Sequence, residues 1–479
     1  MRKLGLLTTP AFILALAVSA GAQEKPLTTK KESEGTVKVN VSGTVQLDYV
    51  WRSKEMEAAV VTLGTNGTGE SENTFEGYAA LRLDVELSDK VAAVLEVGNE
   101  RVAGGGILAW GQTDPVTGST SQDIVLREAH LRLSDFLTPA LSAQIGIGTW
   151  SFDVRGKGSS FAFDPRHSQS FTRNLSTTAD TGASLTNAPE ELQPVGGVLT
   201  YTRDALTFEL VLLPAVIEAG PASDDEALYA ADFWYRLDGK GSRVGAILAV
   251  VSYEDGATRG GGTTSVITLG GGASLKGFVE NLEIFGEIYL QFGDAGINQA
   301  DGDDLDAGGI AFTAGAEYTL SPQNIKVGGS ITIISGDDDT VGTDDDVDTF
   351  LSYENVNDLI IIEDMYLGFD WDSNYFAFKA WGELPLSVGG GKDNLVLSAI
   401  IGITRTNEDV EFGGGVSEDA LGNELDVKAR WILNKQVSFR AGIALLMGSD
   451  VLEESMGGSA NPDSDDSAIL FMVGTDVRF

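Results

Sequence analysis

Apolar and polar residues alternate one for one along stretches long enough to cross a bilayer, and this period constrains the chain more than any other feature. From Val37 the odd positions read Val37, Val39, Val41, Gly43, Val45, Leu47, Tyr49 and Trp51, while the even ones read Lys38, Asn40, Ser42, Thr44, Gln46 and Asp48. The beat returns where Leu81, Leu83, Val85 and Leu87 flank Arg82, Asp84 and Glu86. It returns again where Leu282, Ile284, Ile288, Leu290 and Phe292 alternate with Glu283, Glu287 and Gln291. Near the end, Leu425, Val427, Ala429, Trp431 and Leu433 interleave with Glu424, Asp426, Lys428 and Arg430. Successive side chains of a strand point to opposite faces, so each run is a strand with one greasy and one wet face. A soluble sandwich alternates in the same way, and the period alone does not separate the two classes.

Strand length and loop rhythm separate them. Many runs extend about 9–11 residues, the span of a tilted transmembrane strand, whereas soluble strands more often stop at about 5–6. Tight turns are predicted at Ser88-Asp89-Lys90, Thr202-Arg203-Asp204, Ser321-Pro322-Gln323, Asp372-Ser373-Asn374 and Asn434-Lys435-Gln436. Long polar connections at 52–76, 99–123, 151–194, 335–360 and 448–467 fall between them. Short turns at one end and long loops at the other form the pattern of an outer-membrane barrel. From a first strand near Thr36 to a last one ending at Phe479, the chain holds about 18 strands, an even number within a range of roughly 16–20. Residues 394–404 alternate weakly, and as a lone strand they would reverse the turn rhythm, so they are assigned to an outer loop over 385–421. The expected fold is all-β: one closed antiparallel transmembrane barrel over 36–479. Hydrocarbon offers no partner to an unpaired N–H or C=O, so the sheet must close. Tyr49, Trp51, Phe292, Tyr318, Trp371 and Phe479 lie near strand ends, where interfacial aromatic girdles belong.

The start of the chain reads as an address. Met1-Arg2-Lys3 precedes a mostly apolar stretch that ends in Ala20-Gly21-Ala22, so 1–22 is expected to be a signal peptide and 23–35 a periplasmic segment. An N-terminal membrane anchor is the alternative, but the apolar run is short for a span. Lys and Arg number 32 against 71 Asp and Glu, a net charge of −39, which argues against nucleic acid as a partner. There is no Cys, which excludes disulfides and thiolate metal sites. The expected location is the bacterial outer membrane, with its lipid as the first partner.

Several stretches resemble the alginate-export family of outer-membrane barrels. Leu421-Gly422-Asn423-Glu424-Leu425-Asp426-Val427 looks like that family's G-x-E-L-D strand start. Asn434-Lys435-Gln436-Val437-Ser438-Phe439-Arg440-Ala441-Gly442 is similar to its next turn and strand, and Met447-Gly448-Ser449-Asp450 to its closing G-D. Upstream, Ser335-Gly336-Asp337-Asp338 is similar to its S-G-D-D loop, and the strand pair at 128–133 and 143–148 leads to Gly148-Thr149-Trp150 where the family has Gly-Arg-Gln. The resemblance implies an 18-stranded barrel and, in the namesake, export of an acidic polysaccharide. The terminal Phe479 likewise resembles the signal read by the barrel-assembly machinery.

A conduit for a polyanion needs a positive lumen, because a low-dielectric wall focuses the field. The residues expected to line the pore are mixed instead: Arg82, Arg132, Arg236, Lys428 and Arg430 against Asp84, Glu86, Glu128, Asp232, Glu283, Glu287, Glu317, Glu424 and Asp426, with His130 among them. The resemblance therefore carries the architecture further than the substrate.

Two loop features are candidates for more than solvation. Arg155, Lys157, Arg166, His167 and Arg173 outnumber Asp153 and Asp164 in the first part of 151–194, so this loop is the expected constriction if it folds inward; a solvated surface loop is the plainer reading. Asp337, Asp338, Asp339, Asp344 and Asp346 are compatible with Ca²⁺, although no segment fits an EF-hand loop and plain hydration also accounts for them. The chain has two His and neither a G-x-S-x-G elbow nor an H-E-x-x-H pair, so neither an enzyme nor a cofactor is expected. The expected function is a porin or exporter channel passing small hydrophilic solutes or a polysaccharide. The alternative is a non-transporting barrel that serves as an adhesin or surface scaffold.

Overall fold

The computed structural model describes residues 37–53, 72–99, 124–148, 150, 152, 195–219, 224–254, 263–297, 304–336, 346–350, 358–363, 374–389, 394–412, 416–455 and 466–479. The first half of the wall comprises β1 (Lys38–Arg52), β2 (Glu72–Ser88), β3 (Val91–Asn99), β4 (Ile124–Leu133), β5 (Leu141–Ile147), β6 (Val195–Arg203), β7 (Leu206–Ala219), β8 (Asp224–Arg236) and β9 (Arg243–Glu254). Then come β10 (Thr263–Lys276), β11 (Leu282–Ile297), β12 (Asp304–Leu320), β13 (Ile325–Ile334), the two-residue β14 (Asp346–Val347), β15 (Tyr375–Leu386), β16 (Leu395–Phe412), β17 (Val416–Ile432), β18 (Val437–Met447) and β19 (Ala468–Arg478). Setting β14 aside leaves 18 wall strands, each antiparallel to its neighbours, and β1 pairs with both β2 and β19. No open edge remains, and every wall strand finds its backbone partners on both sides, as hydrocarbon requires.

The greasy face points outward. Val41, Leu81, Leu95, Leu131, Leu248, Leu269, Ile288, Leu290, Phe292, Ile403 and Val473 are exposed, while the residues between them are turned to the interior. A continuous apolar belt of this extent has no place on a water-soluble surface and marks contact with lipid. Phe292, Tyr318 and Phe479 lie exposed on that outer face, as the girdle reading expects, whereas Trp371 lies outside the described residues. Among the described residues no helix is long and apolar enough to cross a membrane.

One end of the barrel carries short turns and both termini of the sheet. Asp89 and Lys90 join β2 to β3, Asp204 and Ala205 join β6 to β7, and 433–436 joins β17 to β18. In the β8–β9 turn the Ser242 hydroxyl and backbone N–H donate to the Asp238 carboxylate at 2.8 and 3.0 Å, which holds that carboxyl below its ordinary range. The other end carries the connections 53–71, 100–123, 148–194, 335–374 and 448–467. Within the last of these a short helix, α1 (Asp450–Ser455), is capped where the Ser449 hydroxyl accepts the Leu452 N–H at 3.1 Å.

Two expectations fail here. Residues 394–404 are no outer loop: they are most of β16, paired on one side with β15 and on the other with β17, so the assignment of 385–421 to a loop is wrong. Alternation is weak because the inward face of β16 is itself apolar at Ile400 and empty at Gly402, where a built Cβ would meet the Leu359 side chain. The strand presents grease on one face and a protein contact on the other. Asn374 also belongs to no tight turn at the short end. β13 pairs directly with β15, so Asn374 closes the long connection 335–374, whose length was read as ending at 360. These two errors cancel in the strand count, which is why an even total near 18 survived both.

Candidate functional site

The interior of an empty barrel is only a tube, and what decides its chemistry is which side chains and loops fill it. On one side the wall is charged and part-hydrated. The Arg82 guanidinium gathers three carboxylates from three strands: Asp84 at 3.0 Å, Glu128 at 2.8 Å and Glu96 at 3.2 Å. Its side chain is 24 % exposed, so the cluster is reached by water. Arg440 on β18 does the same across the seam, with Nε donating to Asp48 at 2.8 Å and Nη1 standing 3.5 Å from Asp476. Between these clusters and β5, His130 is held rigidly. Its Nδ1 lies 3.1 Å from the Ile147 carbonyl, and its Nε2 accepts from Arg132 Nε at 3.1 Å. That arrangement fixes the neutral Nδ1–H tautomer and occupies both ring nitrogens.

Elsewhere, against β12 and β15–β17, the interior is covered by described parts of the long connection between β13 and β15. β14 pairs in parallel with β12 through Asp306↔Asp346 and Ala307↔Val347. The connection then continues along the inner face, where the Ser335 hydroxyl donates to the Asp348 carbonyl at 2.6 Å and Phe350 is wholly buried against Tyr289, ring centroids 6.3 Å apart. Further along, 358–363 forms a single helical turn pressed onto β15–β17. Leu359, Ile360, Ile361 and Ile362 are all buried, and the turn's N–H groups are received by wall carboxylates. Ile360 N donates to Asp426 at 2.9 Å, Ile361 N to Glu424 Oε1 at 2.7 Å and Ile362 N to Glu424 Oε2 at 2.9 Å. A helical turn exposes its first N–H groups without intrahelical partners, and anions are the natural acceptors there.

A cation then clamps the turn from β15. Lys379 Nζ lies 2.7 Å from Asp358 and 2.9 Å from Glu363, and the Tyr375 hydroxyl donates to Glu363 Oε1 at 2.5 Å. Glu363 also accepts the N–H groups of Asp358 and Leu359 at 2.9 and 3.0 Å. Lys428 Nζ donates to the Asp358 carbonyl at 3.0 Å. Charge-assisted bonds of this kind are the strong ones, and here all but the Asp358 end are removed from water.

A second connection also begins by entering the barrel. Trp150 and Phe152, at the start of the β5–β6 connection, are buried. The Trp150 indole N–H donates to Glu209 at 3.2 Å, and the Phe152 ring stacks on Trp234 with centroids 5.8 Å apart.

The predicted pore residues meet different surroundings, and Asp232, 1% exposed, stands opposite Glu209 on the inner face of β8. Arg82, Asp84, Glu128, His130 and Arg132 line the charged wall, and Glu86 pairs with Lys38 near the short-turn end. Arg236 bonds the Asp204 carbonyl on the rim and is exposed at the mouth. Glu283 accepts from the Ser274 hydroxyl, Glu287 from the Tyr289 hydroxyl and Glu317 from the Trp381 indole, so these three are spoken for by their neighbours. Glu424 and Asp426 face inward as expected, yet they are covered by the 358–363 turn and do not line an open pore. Lys428 lies at the margin of that turn, and Arg430 follows it on the same inward face.

The expected constriction residues Arg155, Lys157, Arg166, His167 and Arg173 lie outside the described residues, as do Asp337, Asp338, Asp339 and Asp344. Asp346 is in β14. Among the described residues no group of three or more His, Cys, Asp or Glu is placed to hold a metal ion. Inward-folded pieces of the β13–β15 connection that the structure does describe are 346–350 and 358–363. The signal of the second piece in the sequence is the run Leu359-Ile360-Ile361-Ile362, four consecutive apolar residues with no alternation.

No protein-family model matches the chain, and no curated protein matches it. Solved structures do. Pseudomonas aeruginosa OccK5 (OpdH) matches over 92% of this chain and 98% of its own, at 12% identity and a TM-score of 0.50. P. aeruginosa OccK8 (OprE) covers 92% and 98% at 11% identity and 0.51, and Acinetobacter baumannii OccAB1 covers 92% and 96% at 12% identity and 0.51. At such identities the likeness speaks for the barrel fold.

Proposed function

We propose that the chain is an outer-membrane channel of porin type, passing small hydrophilic solutes through a lumen narrowed by the inward turn at 358–363. The observation that carries this reading is the uneven interior: a closed barrel with a lipid-type exterior keeps one stretch of inner wall charged and reached by water around Arg82 while the 358–363 turn covers another. A barrel used only as a surface scaffold has no need of a hydrated, charged lumen. The structures it resembles in fold are outer-membrane porins, which supports the same reading. The resemblance to alginate exporters agrees with the architecture, but the interior carboxylates around Arg82 do not make a path for a polyanion.

On this reading residues 1–22 direct export and are removed, 23–35 lie in the periplasm, and Phe479 presents the assembly signal. Reconstitution of the purified protein in planar bilayers tests the proposal. Stepwise, stable conductance is expected. A folded barrel that inserts and conducts nothing would overturn it in favour of a scaffold or adhesin.

A further inference from the structure

Trp381 stands out on the inner wall. It lies on β15 two residues from Lys379 and on the same inward face, on the short-turn side of the 358–363 turn. A large ring is costly to leave in water, yet this one is only partly covered by the apolar cluster it packs against. The wall also gives up a side chain to seat it. Gly328 on β13 stands directly opposite, and a Cβ there would collide with Cε2, Cζ2 and Nε1 of the indole. A strand glycine often marks such a close approach. The ring thus runs along the wall across β13, and its N–H donates to Glu317 on β12 at 3.4 Å. Covering a glycine needs only bulk, whereas the reach to Glu317 needs an indole.

Charged groups frame the ring. Lys326 and Glu383 are the next inward pair of the same two strands, toward the short-turn end. Lys326 Nζ lies 3.1 Å from the Glu383 carboxylate, and the two side chains are 40% and 36% exposed. Beyond Glu317, and in register with it on β11, Glu283 lies 3.7 Å from Lys276. An exposed ion pair such as Lys326–Glu383 contributes little to stability, so its donors and acceptors can turn to a solute at small cost. An apolar surface with a few polar groups at its edge is the usual make-up of a small-molecule subsite.

We propose that Trp381, Lys326 and Glu383 form a subsite for a neutral pyranose ring, beside the narrowing made by the 358–363 turn. A pyranose has an apolar face of C–H groups and a rim of hydroxyls that both donate and accept. The indole receives that face, Lys326 donates to hydroxyl oxygens and Glu383 accepts from hydroxyl groups, while Glu317 fixes the ring's orientation. Such a solute replaces water on the ring with C–H contacts and keeps its own hydrogen bonds. Glu283, Glu317 and Glu383 outnumber Lys276 and Lys326 around the ring, which disfavours a uronate. An organic cation would also meet a ring and carboxylates, but Glu383 and Glu283 already face ammonium groups. The inference rests on the channel reading and narrows its solute class.

Saturation-transfer NMR with maltotriose tests the subsite, on the folded full-length barrel in a detergent without a sugar headgroup. Saturable transfer is expected, strongest on the C–H protons of the stacked ring. Trp381→Leu keeps apolar bulk over Gly328 and should raise the half-saturating concentration ~5-fold or more, and Trp381→Phe, which keeps a ring, should raise it less. Glu383→Ala alters an exposed position and should weaken binding with the ring in place; it decides the matter should Trp381→Leu lack the heat-modifiable gel band of a folded barrel. Planar bilayers separate the two proposals. A barrel that conducts and shows no saturable transfer overturns this one alone, and one that binds maltotriose without conducting overturns the channel reading alone. Binding unchanged in folded Trp381→Leu, or in Glu383→Ala where the former does not fold, would also overturn the sugar subsite, as would saturable binding of choline with none of maltotriose.

Discussion

Lys379 Nζ lies 2.9 Å from Glu363 Oε1, and the two side chains are 1% and 0% exposed. One belongs to the wall and the other to the connection that folds against it, so this contact adds a buried charge pair to the Glu424 and Asp426 bonds that seat the turn. Losing one partner of a buried pair leaves an uncompensated charge and costs about 3–5 kcal/mol, far more than the pair contributes relative to an apolar isostere. Lys379→Met is therefore expected to release the 358–363 turn while leaving the wall intact. In single-channel recordings its conductance should rise or become noisy. The double variant Lys379→Met with Glu363→Gln should recover part of the wild-type level, because no unpaired charge then remains. Recordings identical to the wild type would show that the turn lies off the conducting path.

Charge need not be touched to test the same element. Gly402 on β16 leaves the space in which the Leu359 side chain sits, and a Cβ there would come within 2.5 Å of Leu359 Cδ1. Gly402→Val should lift the turn by crowding alone, with overpacking of about 1–3 kcal/mol shared between the turn and the strand. The expected readout is again a larger conductance, now with ion selectivity unchanged. If selectivity shifts without any rise in conductance, displacement of the turn is not what the substitution does.

The wall was legible because its signal is local. A period of two fixes the facing of every residue in a strand, and β11 shows it cleanly: Ile288 and Leu290 meet lipid while Glu287 and Gln291 turn inward. What the period does not report is what stands opposite an inward residue. Glu424 and Asp426 read as wet pore residues, yet they receive N–H groups from residues more than sixty positions away in sequence. The same contact hid β16, since Ile400 and Gly402 face the turn and blur the alternation. Arg440 carries no pore signal in the sequence for a related reason: Gly442, Ala444 and Leu446 share its inward face, and only pairing with β19 and β1 brings Asp476 and Asp48 to it.

The Arg82 cluster makes a prediction about selectivity. One guanidinium holds Asp84, Glu96 and Glu128, and its removal would take the cation from Asp84 and Glu128 while Glu96 keeps Arg127 at 3.4 Å. Arg82→Gln should move the reversal potential under a salt gradient toward greater cation preference. The shift should shrink as salt rises, because the screening length falls from about 10 Å at 0.1 M to about 3 Å at 1 M. A reversal potential that does not move would place the conducting path away from this wall.

Closure of the barrel rests on a small residue meeting a large one. Gly43 N donates to the Phe479 carbonyl at 2.8 Å and Phe479 N to the Gly43 carbonyl at 3.1 Å, so the last residue of the chain completes the β1–β19 seam. The Phe479 ring lies over Gly43 on the outer face, and a Cβ there would stand 2.5 Å from that ring and 2.8 Å from the Ala80 carbonyl. The ring can swing aside, but the carbonyl is fixed in the β1–β2 ladder, so even Gly43→Ala strains the wall. An aromatic side chain covering a strand glycine is a recognised way of stabilising such a position. Gly43→Val is expected to lower the temperature at which the folded gel band is lost. Phe479→Ala should do so more mildly, since it removes the cover and keeps the backbone bonds. Should Gly43→Val melt at the wild-type temperature, the seam would not be where this barrel's stability is set.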